Sequence, residues 1–200
     1  MDIDEADLIA RARQGDLDAF NHIVEQYQQS VYNLSLRMLT SPQAAEDATQ
    51  EAFIAAYRAI GSYRGGSFRS WLFRIATNAC YDELRRRRSR PALSLDAPHG
   101  PEELPIDLPQ PGPSLEEHVQ RLEFAGHLQE ALGALPADQR LAVVLCDVQG
   151  FDYSEIAQVT GVSLGTVKSR IARARARLRK LLGAHRELFT VSFRPSNEGS

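Results

Sequence analysis

The chain has 200 residues, 43% hydrophobic and 24% charged, with a net charge of -3; that is room for one large domain or two small ones, and no stretch reaches the ~18 consecutive apolar residues of a membrane span. The start, "MDIDEADLIA", is acidic instead of a basic stretch leading into an apolar run, which argues against a secretory signal and for a cytoplasmic protein. Cys80 and Cys146 each stand alone, which excludes a disulfide framework and a cysteine-only zinc site and leaves two reduced, partly buried thiols.

Phe20, Val24, Tyr27, Val31, Leu34 and Met38 recur at steps of four and three, one face of a helix. "TSPQAAED" then supplies Ser41 as a cap and Pro42 at the first helical position. The helix that follows carries Ala45, Ala48, Ala52, Ala56 and Ala59 on one side, a stripe a neighbour can approach closely. Asp47, Gln50, Glu51 and Ile54 lie away from that stripe. An acidic face with one apolar residue suits a basic protein partner, and plain solvated surface fits it as well. A third helix starts after "GSYRGGS", a turn-rich stretch with three glycines, and is expected to bury Phe68, Leu72, Ile75 and Ala79. Off its core face lie Trp71, Arg74, Asn78 and Tyr81, flanked by Arg64, Arg69 and the run Arg85 to Arg88. Aromatics interleaved with arginines suit a single-stranded nucleic acid, whose bases stack while cations follow the backbone. The loop Tyr63 to Ser67 has the turn chemistry to hold one unstacked base. Trp71 fits a core position equally well on spacing alone.

Residues 91–115 contain seven of the ten prolines and no lysine or arginine, the composition of an extended acidic linker. Beyond it, Leu122, Ala125, Leu128 and Leu132 mark one helix, and Leu141, Val144, Leu145 and Val148 mark the next. "YSEIAQVTGVSLGTVKSRI" then has the layout of a helix-turn-helix: Ser154 to Thr160 helical, Gly161 in the tight turn, Ser163 as cap. The last helix is expected to bury Val167, Ile171, Ala174, Leu178 and Leu181. Its remaining surface carries Lys168, Arg170, Arg173, Arg175, Arg177, Arg179 and Lys180. A helix of this kind fits the DNA major groove with its first turns nearest the bases, which makes Thr166, Lys168, Ser169, Arg170 and Arg173 the expected reading set and Arg177 a phosphate contact. The charge distribution agrees. Net charge is -7 over residues 1–51, +7 over 58–90, -8 over 91–138 and +5 over 139–182, so a polyanion meets two separate basic footprints. No segment alternates with a period of two, and the fold expected is all-α: two small helical domains joined by a flexible linker.

"DATQEAFIAAYRAI", "YRGGSFRSWLFRIATNACYDELRRR" and "LPADQRLAVVLCDVQGFDYSEIAQVTGVSLGTVKSRIARARARL", in that order, resemble a bacterial sigma factor of the extracytoplasmic-function (ECF) group of the sigma-70 family, over about residues 5–183. The resemblance implies a region 2 domain over 4–90, a Pro-rich acidic linker over 91–118, a region 4 domain over 119–183 and a tail over 184–200. It assigns Asp47, Gln50, Glu51 and Ile54 to docking on RNA polymerase. It assigns Tyr63, Gly65, Gly66, Ser67, Trp71, Arg74 and Asn78 to the melted minus-ten element, and Thr166, Lys168, Ser169, Arg170, Arg173 and Arg177 to the minus-35 duplex. The implied partners are the polymerase core (clamp helices and flap), promoter DNA and an anti-sigma factor, with no membrane insertion and a monomer when free. Two departures are visible: Gly66 stands where many relatives carry Asp, and the loop is one residue shorter than in some, so the preferred minus-ten base does not follow from the resemblance. No catalytic residue, metal or cofactor is implied; none of His22, His99, His118, His127 and His185 has the spacing of a hydrolytic metal site. The alternative is a helix-turn-helix regulator that acts without replacing the primary sigma factor.

Overall fold

The computed structural model describes residues 4–89 and 115–183, with side chains over 4–89 and 123–183. The proline-rich stretch and the tail lie outside the described residues, and the described residues form helices and turns without strands. Helix α1 (Glu5–Ala12) starts on Asp4, whose carboxylate accepts the Ala6 N–H at 3.2 Å. Helix α2 (Leu17–Leu39) starts on Asp16, which accepts the Ala19 N–H at 3.0 Å. It stops where Thr40 turns left-handed at φ 58°. Helix α3 (Pro42–Ala59) begins as its sequence predicts, with Ser41 Oγ accepting the Ala44 N–H and Pro42 at the first position. Ala45, Ala48, Ala52 and Ala56 are buried, so α3 lies close between α2 and helix α4 (Phe68–Ser89), while Ala59 is half-exposed.

Helix α4 departs from its expected core face. Its buried residues are Phe68, Ser70, Leu72, Phe73, Ala76, Thr77 and Cys80, and Ile75 and Ala79 are only half-buried. The buried arc is wider and turned because α4 is covered on several sides, by α2 and α3 and by an element of the second half of the chain. Cys80 lies in this covered arc, 3.6 Å from Ser35 Oγ, and burial pushes its thiol up to about 11.

The second half holds helices α5 (Leu115–Gly133), α6 (Ala137–Val143), α7 (Tyr153–Thr160) and α8 (Leu164–Gly183). A π-type turn, Val144–Val148, continues α6. Its wider turn shifts the register, so Val144 and Leu145 are buried as expected while Val148 is 48% exposed. A capping box opens α7: Asp152 accepts the Glu155 N–H at 2.8 Å and Glu155 accepts the Asp152 N–H at 2.9 Å. Gly161 ends α7 at φ 68°, and Ser163 Oγ accepts the Thr166 N–H at 3.2 Å to cap α8. Val167, Ile171 and Ala174 are buried, Leu178 is half-buried, and Leu181 is exposed, against expectation. Helix α8 has 20 residues and lies on α6 and α7, which have seven and eight, so its last turns extend past them.

The two halves are not held apart. Arg140, 7% exposed, donates to the carbonyls of Met38, Gly133 and Leu135. Gln129 Nε2 donates to the Leu36 carbonyl at 2.8 Å, and Gln149 Nε2 to the Ser30 carbonyl at 3.1 Å. Phe73 of α4 meets Phe151 at 4.9 Å between ring centroids, and Arg69 lies over Phe151 at 4.0 Å while donating to the Gln149 carbonyl. One hydrophobic cluster therefore runs through both halves, so the two helical domains the sequence predicts pack against each other.

Alkylation of Cys80 tests this packing. At pH 8 the thiol is expected to stay unmodified in the folded protein and to react in urea, because the thiolate is the reactive form. Arg140→Ala, which strips three carbonyls of their donor, should lower the urea midpoint by the equivalent of ~1–3 kcal/mol and speed Cys80 labelling. Equal labelling rates in both proteins would place Arg140 outside the cooperative unit.

Candidate nucleic-acid interface

The loop between α3 and α4 is shaped by its own polar groups. The Tyr63 hydroxyl donates to the Gly66 carbonyl at 2.6 Å, and Ser67 Oγ accepts the Ser70 N–H at 3.1 Å, capping α4. Gly65 and Gly66 sit at φ 97° and 94° with open space where a side chain would stand. Backbone conformation, not crowding, calls for glycine at both. Tyr63 is 7% exposed, its ring edge-on to Phe68 at 5.4 Å. Its ring and hydroxyl organise the loop. Trp71 is half-buried, with Tyr63 and Phe68 against it at 5.5 and 5.3 Å, so it is both a member of this cluster and a partly open ring. Arg74 and Asn78 are exposed further along α4. Tyr81 is half-buried and turned toward the second half of the chain, where Asp138, Arg140 and Arg170 bear on its hydroxyl; burial is the largest cause of its raised pKa. Between the loop and α1 lies a cavity of about 470 Å³. Glu5, Ile9 and Arg13 of α1 form its far wall. Sequence reasoning missed this wall, because α1 is some fifty positions from the loop and only its cap residue Asp4 announces a helix there.

On α8, Lys168, Arg173 and Arg177 are exposed. The Thr166 and Ser163 hydroxyls meet at 2.9 Å, and the Ser169 hydroxyl donates to the Thr166 carbonyl. Arg170 differs from its neighbours. Its side chain is 25% exposed and pairs with Asp138 at 3.0 Å, on the side that faces Tyr81 of α4. At 3.6 residues per turn, Gly165, Ser169, Ala172 and Ala176 fall opposite the buried stripe. Thr166, Arg170, Arg173 and Arg177 then form one rim and Lys168, Arg175 and Arg179 the other. Small residues between two basic rims let a helix sit deep in a groove walled by phosphates. Arg175 on the second rim is held by Asp147, whose carboxyl it keeps below the usual range while its own pKa rises. A depressed carboxylate supports folding at neutral pH and loses that contribution only on acidification.

Asp47, Gln50, Glu51 and Ile54 are all exposed on one side of α3. Glu51 accepts from both terminal nitrogens of Arg86 at 2.9–3.1 Å, which fixes its carboxylate against the end of α4. Leu17 and Tyr57 are exposed apolar residues as well, and Tyr57 stands edge-on to Phe20 at 5.0 Å. Among the described residues no helix is long and apolar enough to cross a membrane.

Residues 23–90 match the model of sigma-70 region 2, and residues 126–178 match that of sigma-70 region 4. The chain is 40% identical over 177 residues to the ECF RNA polymerase sigma factor SigE of Mycolicibacterium smegmatis, covering 88% of this chain and 66% of that relative. It is 37% identical to SigM of Mycobacterium tuberculosis, covering 90% and 85%, and 38% identical to SigW of Bacillus subtilis, covering 87% and 94%. Among solved structures it is similar to CnrH in complex with the cytosolic domain of CnrY, at TM-score 0.66 and 29% identity, covering 88% and 96%. It is also similar to the sigma factor RpoE in complex with the anti-sigma factor NepR from Bartonella quintana, at 0.62 and 28%, covering 82% and 96%.

Arg69 flanks the α4 surface yet is spent on the second half of the chain, so Phe151→Ala is expected to free it. The substitution leaves a void beside Phe73, at a cost of ~3–5 kcal/mol if the core does not collapse. Dyes at positions 43 and 179 should then report a longer and more variable separation by single-molecule energy transfer. An unchanged distance would show that the aromatic contact is not what holds the halves.

Proposed function

Because the chain belongs to the extracytoplasmic-function group of the sigma-70 family, we propose that it reads a promoter at two places, α8 taking the minus-35 duplex and α4 with its preceding loop taking melted minus-ten strand. It is a sigma factor: it binds core RNA polymerase and directs promoter-specific initiation, and sigma factors are DNA-binding regulators. The observation that carries the two-site reading is the pair of exposed basic faces. One lies on α4 and one on α8, each inside a stretch matched by a sigma-region model, with an acidic block between them in sequence.

On α8, Lys168, Arg173 and Arg177 are free to meet phosphates and base edges, and Thr166 and Ser169 face the same groove. Arg170 joins them by leaving Asp138, an exchange that is cheap because a partly exposed ion pair is worth only ~0–1 kcal/mol. On the region 2 side, Trp71, Arg74 and Asn78 hold the separated strand, and the loop Tyr63 to Ser67 accepts one base turned out of the stack. Captured single strand offsets the stacking lost on melting, so binding and opening become one equilibrium. Asp47, Gln50, Glu51 and Ile54 form the polymerase-docking face, held in register by Arg86. Arg69 is occupied between the halves in the structure described, so it reaches DNA only after that packing loosens, whereas Arg170 is held by Asp138 within the second half.

The region 2 model matches 23–90, and we extend that unit to residues 4–90 because α1 packs on α2; the second unit is taken as 119–183 on the same grounds. Two of the solved relatives are bound to CnrY or an anti-sigma factor, and we infer that this chain is monomeric when free, works in the cytoplasm where polymerase is, and is held by a partner of that kind. A helix-turn-helix regulator that leaves the primary sigma factor in place is the rival reading. Run-off transcription with this chain and core enzyme as the only proteins separates the two.

In that assay, Lys168→Ala with Arg173→Ala should reduce initiation and flatten the dependence of log affinity on log salt by about 0.9 per lost phosphate contact. Trp71→Ala should leave duplex binding intact and reduce open complexes about 5- to 150-fold, the range for one lost base–ring stack of ~1–3 kcal/mol. If initiation is unaffected by either change, the two-site reading is wrong.

A further inference from the structure

We infer that Glu5 of helix α1 is a specificity-determining residue at the base-accepting cavity, selecting a base that carries an exocyclic amine and excluding thymine. The inference rests on the proposed reading of the Tyr63 to Ser67 loop and adds a second wall to it.

The argument starts from what the loop itself has left to offer. The Tyr63 hydroxyl proton is committed to the Gly66 carbonyl, and Ser67 Oγ accepts the Ser70 N–H, which leaves the Ser67 O–H as a donor. Gly65 and Gly66 have no side chains. Arg64 and Arg69 supply positive charge, which suits a phosphate but distinguishes bases poorly. The cavity volume of about 470 Å³ lies within the ~300–1,000 Å³ of small-ligand sites, and a single nucleotide fits it. The one side chain lining it that only accepts hydrogen bonds is Glu5, from the opposite wall.

Glu5 is positioned for this role. It stands in the first turn of α1, on a helix anchored by the Asp4 cap and by burial of Leu8 and Ala12. Its Oε1 accepts the Tyr27 hydroxyl at 2.5 Å, and Tyr27 is itself fixed against Phe68 with ring centroids 5.9 Å apart. Among the described residues, Oε2 carries no such bond. Arg13, the residue at the C-cap of α1, brings a donor to the same cavity. A carboxylate on the cavity wall accepts from a base amine, and the Arg13 guanidinium on the same wall can donate to a ring or carbonyl acceptor or to a phosphate. Cytosine, adenine and guanine each carry an exocyclic amine. Thymine has none: its single edge N–H lies between two carbonyl oxygens, whose lone pairs face the carboxylate. The arginines around the cavity offset the cost of bringing Glu5 near the DNA backbone.

The test uses holoenzyme assembled from the full chain and core polymerase. A promoter library randomised through the minus-ten region is sorted by open-complex formation and sequenced. Wild-type holoenzyme is expected to deplete thymine about tenfold at one position, Glu5→Gln to readmit it there, and Tyr27→Phe to keep the exclusion because the carboxylate remains. Three results overturn the inference: thymine tolerated throughout by the wild type, exclusion intact in Glu5→Gln, or Glu5→Gln and Tyr27→Phe weakening every sequence alike, which would make Glu5 a mere tether for α1. If the wild type selects no sequence at all, the sigma reading of the loop fails along with it.

Discussion

The carbonyl end of α2 sets a requirement that α2 cannot meet by itself. A helix leaves its last carbonyls without intrahelical donors, and that end carries partial negative charge. Here Thr40 serves Leu36 through its N–H and Leu39 through its hydroxyl, and Leu36, Met38 and Leu39 also receive donors from Gln129, Arg140 and Arg87, which belong to three other helices. Two of the three come from the second half of the chain. The contact at this end is therefore a polar one, and the Phe73–Phe151 ring pair adds an apolar contact between the halves. Burial lowers the pKa of Arg140, which is the sign of a charge held at some desolvation cost and compensated by the carbonyls around it. Such a junction is specific in geometry, and water can replace its donors one at a time as it opens.

The ion pairs around the candidate surfaces have a different character. Arg170 with Asp138, Arg175 with Asp147 and Arg86 with Glu51 all join a cation to a carboxylate on another element, and most of these side chains are a quarter to a half exposed. Pairs of this kind add little to stability and exchange readily. They keep an arginine-rich molecule of net charge -3 internally balanced until a stronger polyanion competes. The excess of arginine over lysine matters for that competition, because a guanidinium can hand one planar carboxylate over for one phosphate with the same two-point geometry.

Much of this was legible in the residues. The alanine stripe of α3, the Ser41 and Ser163 caps, Gly161 and the exposure of Lys168, Arg173 and Arg177 follow from local spacing and local chemistry, and the structure bears them out. The misses have a common cause. Ile75, Ala79, Val148 and Leu181 were assigned by periodicity, which reports one face and says nothing about how many neighbours a helix has or where they end. The sequence places Tyr63 in the loop, and only the three-dimensional path of Gly65 and Gly66 shows its hydroxyl tied back to it. The participation of α1 and the joining of the two halves are non-local, created by chain segments dozens of residues apart, and no short window carries that information.

The π-type turn at Val144–Val148 has an implication for how this lineage can vary in length. It holds one more residue than a regular turn would, and the chain beyond it delivers Gln149 and Phe151 to α2 and α4. Removing a residue there would restore ordinary helical winding and rotate everything downstream by roughly 100° about the axis, carrying Phe151 out from under Arg69 and α8 with it. At a junction that looks like a short connector, the number of residues therefore sets where every downstream contact falls, whatever side chains fill the turn.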